Sequence, residues 1–221
     1  MKRLLSKIKN NLDFTLLALF LLSVPVFGLL NRPIGTVRDL HSYLDTLIPV
    51  VPPFIVIYHS WFPFLLYNLY RLYNKDRENF RILTSHLFIG QWAAYITFIF
   101  FQTDVTRAID LGNSVFDKLV AFTYVIDNHY AGFPSVHALT TFALIITVIK
   151  SSQSLAYKTV AVFHSFLILA SILLVKQHVF WDLPGGILYA ALLYPLAKLF
   201  VREMEKKYVS LGKLKKADMT Q

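Results

Sequence analysis

The run TVAVFHSFLILASILLVKQHVFWDLPGGILYAALLYPLAKL, residues 159–199, decides the fold. It holds two apolar segments, 159–175 and 179–199, with Lys176, His178 and Asp182 gathered where one gives way to the next. A helix of about 20 mostly apolar residues crosses a bilayer, so these segments read as consecutive membrane spans with a short polar link. Four further segments read the same way: 14–30, 47–70, 82–101 and 134–149. The second of them carries Pro49, Pro52, Pro53 and Pro63. Proline in a membrane helix needs neighbours to satisfy the freed carbonyls, so 47–70 is expected to kink or to start irregularly. The first span follows a basic stretch, lacks a small-x-small cleavage site and runs directly into Arg32-Pro33. It is therefore expected to be an anchor and not a cleaved leader.

Composition agrees. Of 221 residues, 56% are hydrophobic and only 16% charged, and the mean hydropathy is +0.52. A soluble domain is about 45–50% apolar, so the excess calls for lipid as solvent. The expected architecture is an all-α, polytopic membrane helix bundle of about six transmembrane helices. It forms one membrane domain over 1–221, with a basic N-terminus at 1–13, a membrane core at 14–199 and a basic tail at 200–221. With no cysteine, disulfides, thiolate catalysis and cysteine-bound metals are excluded.

The net charge of +9 suggests nucleic acid at first sight. Its distribution argues otherwise. With the N-terminus in the cytoplasm, 17 of the 22 Lys and Arg fall on inner segments. The outer segments keep Arg32, Arg38, Arg107, Lys118 and Lys176. This bias orients a membrane protein with both termini cytoplasmic, and the tail is expected to face anionic lipid headgroups. Membrane lipids are then the expected partners, and nucleic acid is not.

Three pieces of chain bring chemistry to the outer face. Arg107 follows the third span, Phe133-Pro134-Ser135-Val136-His137 opens the fourth, and Lys176-Gln177-His178-Val179-Phe180-Trp181-Asp182 joins the fifth to the sixth. An ionisable side chain at the edge of the hydrocarbon is a functional candidate. On a helix, the spacing of four would put His178 and Asp182 on one face. A carboxylate there fixes the imidazole tautomer and frees the other nitrogen as nucleophile or base. The Pro134-Ser135 turn offers free amides at a helix start, which attract anions, and Ser135 adds a hydroxyl. Arg107 presents a planar fork to phosphate oxygens, Lys176 a compact charge. The competing readings are an N-terminal cap for Ser135 and snorkelling for the two cations. His41, His59, His86 and His164 read as ordinary structural histidines, and His129 stays open. No Gly-rich phosphate loop, metal-binding Asp cluster or dinucleotide fingerprint is present. No metal and no cofactor is therefore expected.

At these residues the sequence resembles the type-2 phosphatidic acid phosphatase superfamily, whose motifs run K-x6-R-P, P-S-G-H and S-R-x5-H-x3-D. The second reads Pro134-Ser135-Val136-His137 here, and the third keeps His178 and Asp182. The closer likeness is to the branch with the inositol phosphorylceramide synthases and bacterial members, which shows F-P-S-L-H and K-Q-H-Y-x-x-D. Ile48-Pro49-Val50-Val51-Pro52 and Ser60-Trp61-Phe62-Pro63 are similar to that branch as well. The first motif is degraded to Thr103, Val105 and Arg107, and Ile172 stands where the broad pattern has an arginine. The resemblance implies a metal-independent phosphatase acting on a lipid phosphate at the extracytoplasmic face of the cell membrane. In it His178 is the nucleophile, Asp182 orients it and His137 is the acid-base. Arg107, Lys176 and the turn at Ser135 hold the phosphoryl oxygens. The alternatives are a lipid headgroup phosphotransferase of the same branch and a non-enzymatic carrier of anionic lipid.

Overall fold

The computed structural model describes residues 2–108 and 110–218, with side chains from 11 to 108 and from 110 to 210. The side chains of Lys2, Arg3, Lys7, Lys9, Lys213, Lys215 and Lys216, on which part of the charge asymmetry rests, lie outside the described residues. The chain is almost wholly helical: α1 Lys2–Ser23, α2 Val26–Leu30, α3 Tyr43–Leu47, α4 Ile55–Lys75, α5 Arg77–Phe100, α6 Val115–Ile126, α7 Val136–Lys150, α8 Leu155–Leu174 and α9 Asp182–Asp218. Two-residue strands, β1 Arg38–Asp39 and β2 Thr103–Asp104, pair in parallel, and Thr103 also bridges Ala131.

Among the described residues, Asn11–Leu30, Arg77–Phe100, Leu155–Leu174 and Asp182–Ser210 are long and apolar enough to cross a membrane. The other two expected segments are helical but differ in kind. α4 has 21 residues, yet it includes Tyr58, His59, Ser60 and Asn68, which dilute its hydropathy. α7 has 15 residues, roughly 22 Å at 1.5 Å per residue.

Proline sets two departures from the sequence boundaries. The first span breaks between α1 and α2 at Val24-Pro25, where proline has no amide hydrogen for the helical ladder. The second does not begin at 47: a 3-10 turn at Pro52–Phe54 leads into α4 at Ile55. The tail departs too, since α9 runs on through it to Asp218. Helix-forming Glu and Lys residues allow this, with a Glu203–Lys206 pair one turn apart. The loop 102–133 also contains an unanticipated helix, α6. Ser114 and Asp117 cap it with a reciprocal box.

α7 packs against α5, α8 and α9, and α5 against α1, α4 and α9. The exterior of this bundle is apolar where a water-soluble one is polar, and polar side chains are buried among its apolar core. Asn68, Thr84, Ser85, His86 and Gln91 are buried, while Trp92, Ile96, Phe163, Phe166 and Leu192 are exposed. Some interior polar groups find local partners: His86 Nε2 donates to the Ala190 carbonyl at 2.8 Å, and Trp61 Nε1 donates to Thr140 Oγ1 at 3.0 Å. Such an exterior is suited to hydrocarbon, where each polar group must be satisfied internally. At the end away from the strands, buried Asp13 pairs with Arg77 and Arg81, and Arg81 also with Glu205, tying α1, α5 and α9 together.

Candidate active site

The site lies at the strand end of the bundle. β1–β2 pairing and the Thr103–Ala131 bridge draw the loops after α2, α5 and α6 together. Thr103 Oγ1 then accepts the Phe133 amide at 2.7 Å, and the Asp182 carbonyl accepts the Ser135 amide at 3.1 Å. These bonds set the start of α7 against the start of α9. Two glycines allow the approach. A Cβ on Gly186 would stand 2.5 Å from the Ser135 carbonyl oxygen, and one on Gly185 would stand 2.3 Å from the Phe133 ring.

His178 and Asp182 do meet, although not on a helix face. His178 sits in the turn that precedes α9, and Asp182 is the first residue of that helix. His178 Nδ1 donates to Asp182 Oδ2 at 3.0 Å, and the same oxygen accepts the Val179 amide at 3.1 Å. Asp182 is fully buried and His178 nearly so. With Nδ1 carrying the proton toward the carboxylate, Nε2 holds a lone pair. That nitrogen faces His137 Nδ1 at 3.4 Å, a contact in which His137 is the donor. Tyr58 and Trp61 of α4 pack on the His137 ring, at centroid distances of 4.9 and 4.4 Å. Ser135 caps α7: its Oγ accepts the Ala138 amide at 3.1 Å, and the residue is fully buried.

The two expected cations reach the site but spend much of their bonding on the backbone. Arg107 donates to the carbonyls of Tyr124 and Asp127 at 2.6 Å each and of Asn128 at 3.1 Å, closing the C-terminal end of α6. Lys176 Nζ donates to the carbonyls of Asp45 and Ile48 at 2.9 and 2.7 Å, closing α3 in the same way. Burial lowers the pKa of both groups. Lys176 also has φ of 51°, a left-handed conformation that glycine adopts more readily. Lys176→Gly is therefore expected to be more stable than Lys176→Ala by about 1 kcal/mol, since both lose the clamp and only glycine sheds the strain. Thermal unfolding of the two variants in one detergent measures the difference.

Two cavities border the histidine pair, one at each ring. One of about 180 Å³ is walled by His41, Asp45, Arg107, Lys176 and His178. The other, about 370 Å³, has largely apolar walls including Phe27, Tyr58, Trp61, Ile126, Val136 and His137. A narrow crevice touching both His137 and His178 lies alongside.

Several site residues escaped the sequence reading. Asp45 is buried and holds the loop that carries His178, accepting the Phe180 amide at 2.6 Å. Asp127, between α6 and α7, accepts from Asn31 Nδ2 at 2.8 Å and from the Tyr58 hydroxyl at 3.4 Å, and burial raises its pKa. His59 lines the apolar cavity, with Nε2 3.0 Å from Thr123 Oγ1. His129 pairs with Asp104 beside the crevice. Asp45 closes a Ser42-x-x-Asp45 capping box, which marks a helix start and not a site, and the others come to the site through tertiary contacts. Among the described residues, no group of three or more His, Asp or Glu could hold a metal ion. Comparison with protein-family models, with the curated proteins and with the solved structures gives no match to this chain.

Proposed function

We propose that this chain is a lipid phosphate phosphatase of the membrane, with six spans, both termini cytoplasmic and the site on the outer side. The observation that carries the reading is His178. A buried carboxylate holds its Nδ1, its Nε2 faces His137, and a charged cavity borders His178 while an apolar one borders His137. A phosphate group suits the charged side and a lipid alcohol the apolar side.

In this reading His178 Nε2 attacks phosphorus, forming a P–N bond as the P–O bond to the lipid alcohol breaks. His137 gives a proton to the departing oxygen, and Asp182 balances the positive charge on His178. His137 then takes a proton from water, whose oxygen attacks phosphorus and releases inorganic phosphate and free His178. Acid-base help of this kind contributes about 10²–10⁴-fold. His178 and His137 must part for phosphorus to enter, since their facing nitrogens are in contact at 3.4 Å. A phosphotransferase would run the same first half with an alcohol in place of water, and the presence of two cavities at one histidine pair favours it as the second reading.

The test is phosphate release from a panel of lipid phosphates by the detergent-purified protein in EDTA. Release by the wild type, absent in folded His178→Ala, is expected. Normal turnover by that variant would overturn the nucleophile assignment. Transfer to an added alcohol without phosphate release would select the second reading.

A further inference from the structure

The charged cavity contains a histidine with no role in the reaction described above. His41 stands just before α3, exposed at the cavity rim. Its amide donates to Asp39 Oδ1 at 2.7 Å. Among the described residues, none bonds its ring.

The other positive groups of that cavity are largely committed. Lys176 gives two of its three ammonium hydrogens to the Asp45 and Ile48 carbonyls. Both terminal nitrogens of Arg107 are held by carbonyls at the end of α6. The Asp45 carboxylate shares the wall, turned to the Ser42 amide at 2.9 Å, the Ser42 hydroxyl at 2.8 Å and the Phe180 amide at 2.6 Å. Few donors are thus left for three phosphoryl oxygens, and the His41 ring has two nitrogens to offer.

We propose that His41 is a phosphate-binding residue of this cavity and that it selects a dianionic phosphate monoester over a monoanionic diester. The inference rests on the lipid phosphatase reading. Arg107 and Lys176 against Asp45 leave the wall one net positive charge while His41 is neutral, and two when it is protonated. A dianion matches the second state and a monoanion the first. The charge-assisted hydrogen bond so formed is of the strong kind.

The experiment titrates inorganic phosphate and orthovanadate into the detergent-purified full chain by calorimetry, for wild type, His41→Gln and His41→Arg. Turnover of a lipid phosphomonoester and of its methyl diester is measured alongside. His41→Gln is expected to weaken phosphate binding about tenfold. It should also raise KM for the monoester with kcat within about twofold, and narrow the preference over the diester. His41→Arg should restore binding. Since His41 is exposed, both variants should keep the fold, which a melting curve checks. Wild-type phosphate affinity in His41→Gln would overturn the proposal. His41-dependent binding by a wild type that turns over no lipid phosphate would support the binding site and overturn the phosphatase reading instead. A wild type that binds neither anion would overturn both.

Discussion

Asp182→Asn is expected to lower kcat about 10³–10⁴-fold with little change in KM. The carboxylate takes two hydrogen bonds on one oxygen, from His178 Nδ1 at 3.0 Å and from the Val179 amide at 3.1 Å. An asparagine has only one acceptor atom, and its amide group must occupy the other position. Turned with its NH₂ toward the ring, it forces the proton onto Nε2 and removes the lone pair the reaction needs. Turned the other way, it keeps the tautomer but loses the negative charge that steadies an imidazolium. Burial sharpens both effects, since Asp182 is fully inside the protein and its Oδ1 has no hydrogen-bond partner. KM should hold because neither oxygen reaches the charged cavity. Single-turnover kinetics, with circular dichroism as the fold control, measures the effect. A loss below tenfold would show that the pair does not act as orienter and nucleophile.

Gly186→Val is expected to be the most damaging single change to the scaffold. Even a methyl group at 186 would stand 2.5 Å from the Ser135 carbonyl oxygen, 2.8 Å from Ala138 Cβ and 2.9 Å from the Leu139 amide nitrogen. Two of these are backbone atoms of the first turn of α7 and cannot rotate away. α7 and α9 must therefore separate, which weakens the Ser135–Asp182 backbone bond and moves His137 away from His178. Overpacking of this sort destabilises by about 1–3 kcal/mol, or more where backbone is involved. A displacement near 1 Å at the reacting groups is worth about 100-fold in rate. A lower melting temperature and a comparable loss of turnover should appear together. Gly28→Ala serves as the control, because a Cβ at Gly28 would meet nothing within 4 Å.

How much of this was legible follows from what kind of contact makes each feature. The long apolar runs behind α1, α5, α8 and α9 announce themselves, because hydrocarbon demands about 20 apolar residues in a row. The pairing of His178 with Asp182 was also legible from spacing, although a turn and not a helix produces it. α6 was missed because its Ser114-x-x-Asp117 box lies in a loop rich in charge, where the search for spans does not look. The break at Pro25 and the clamps made by Arg107 and Lys176 depend on which carbonyls lie near in space. Asp45 and Tyr58 belong to segments far in sequence from both histidine motifs, Asp45 reads only as the close of a helix-capping box, and Asp127 reads as one more loop carboxylate.

The contact between His178 Nε2 and His137 Nδ1 works as a latch between the two rings. Each ring covers the other's facing nitrogen, so on the phosphatase reading the His178 lone pair is withheld from any molecule that does not part the rings. Only a ligand that wedges the rings apart and compensates them with its own oxygens meets a bare lone pair. Selectivity then begins before any bond is broken, in whether a molecule can pick the lock.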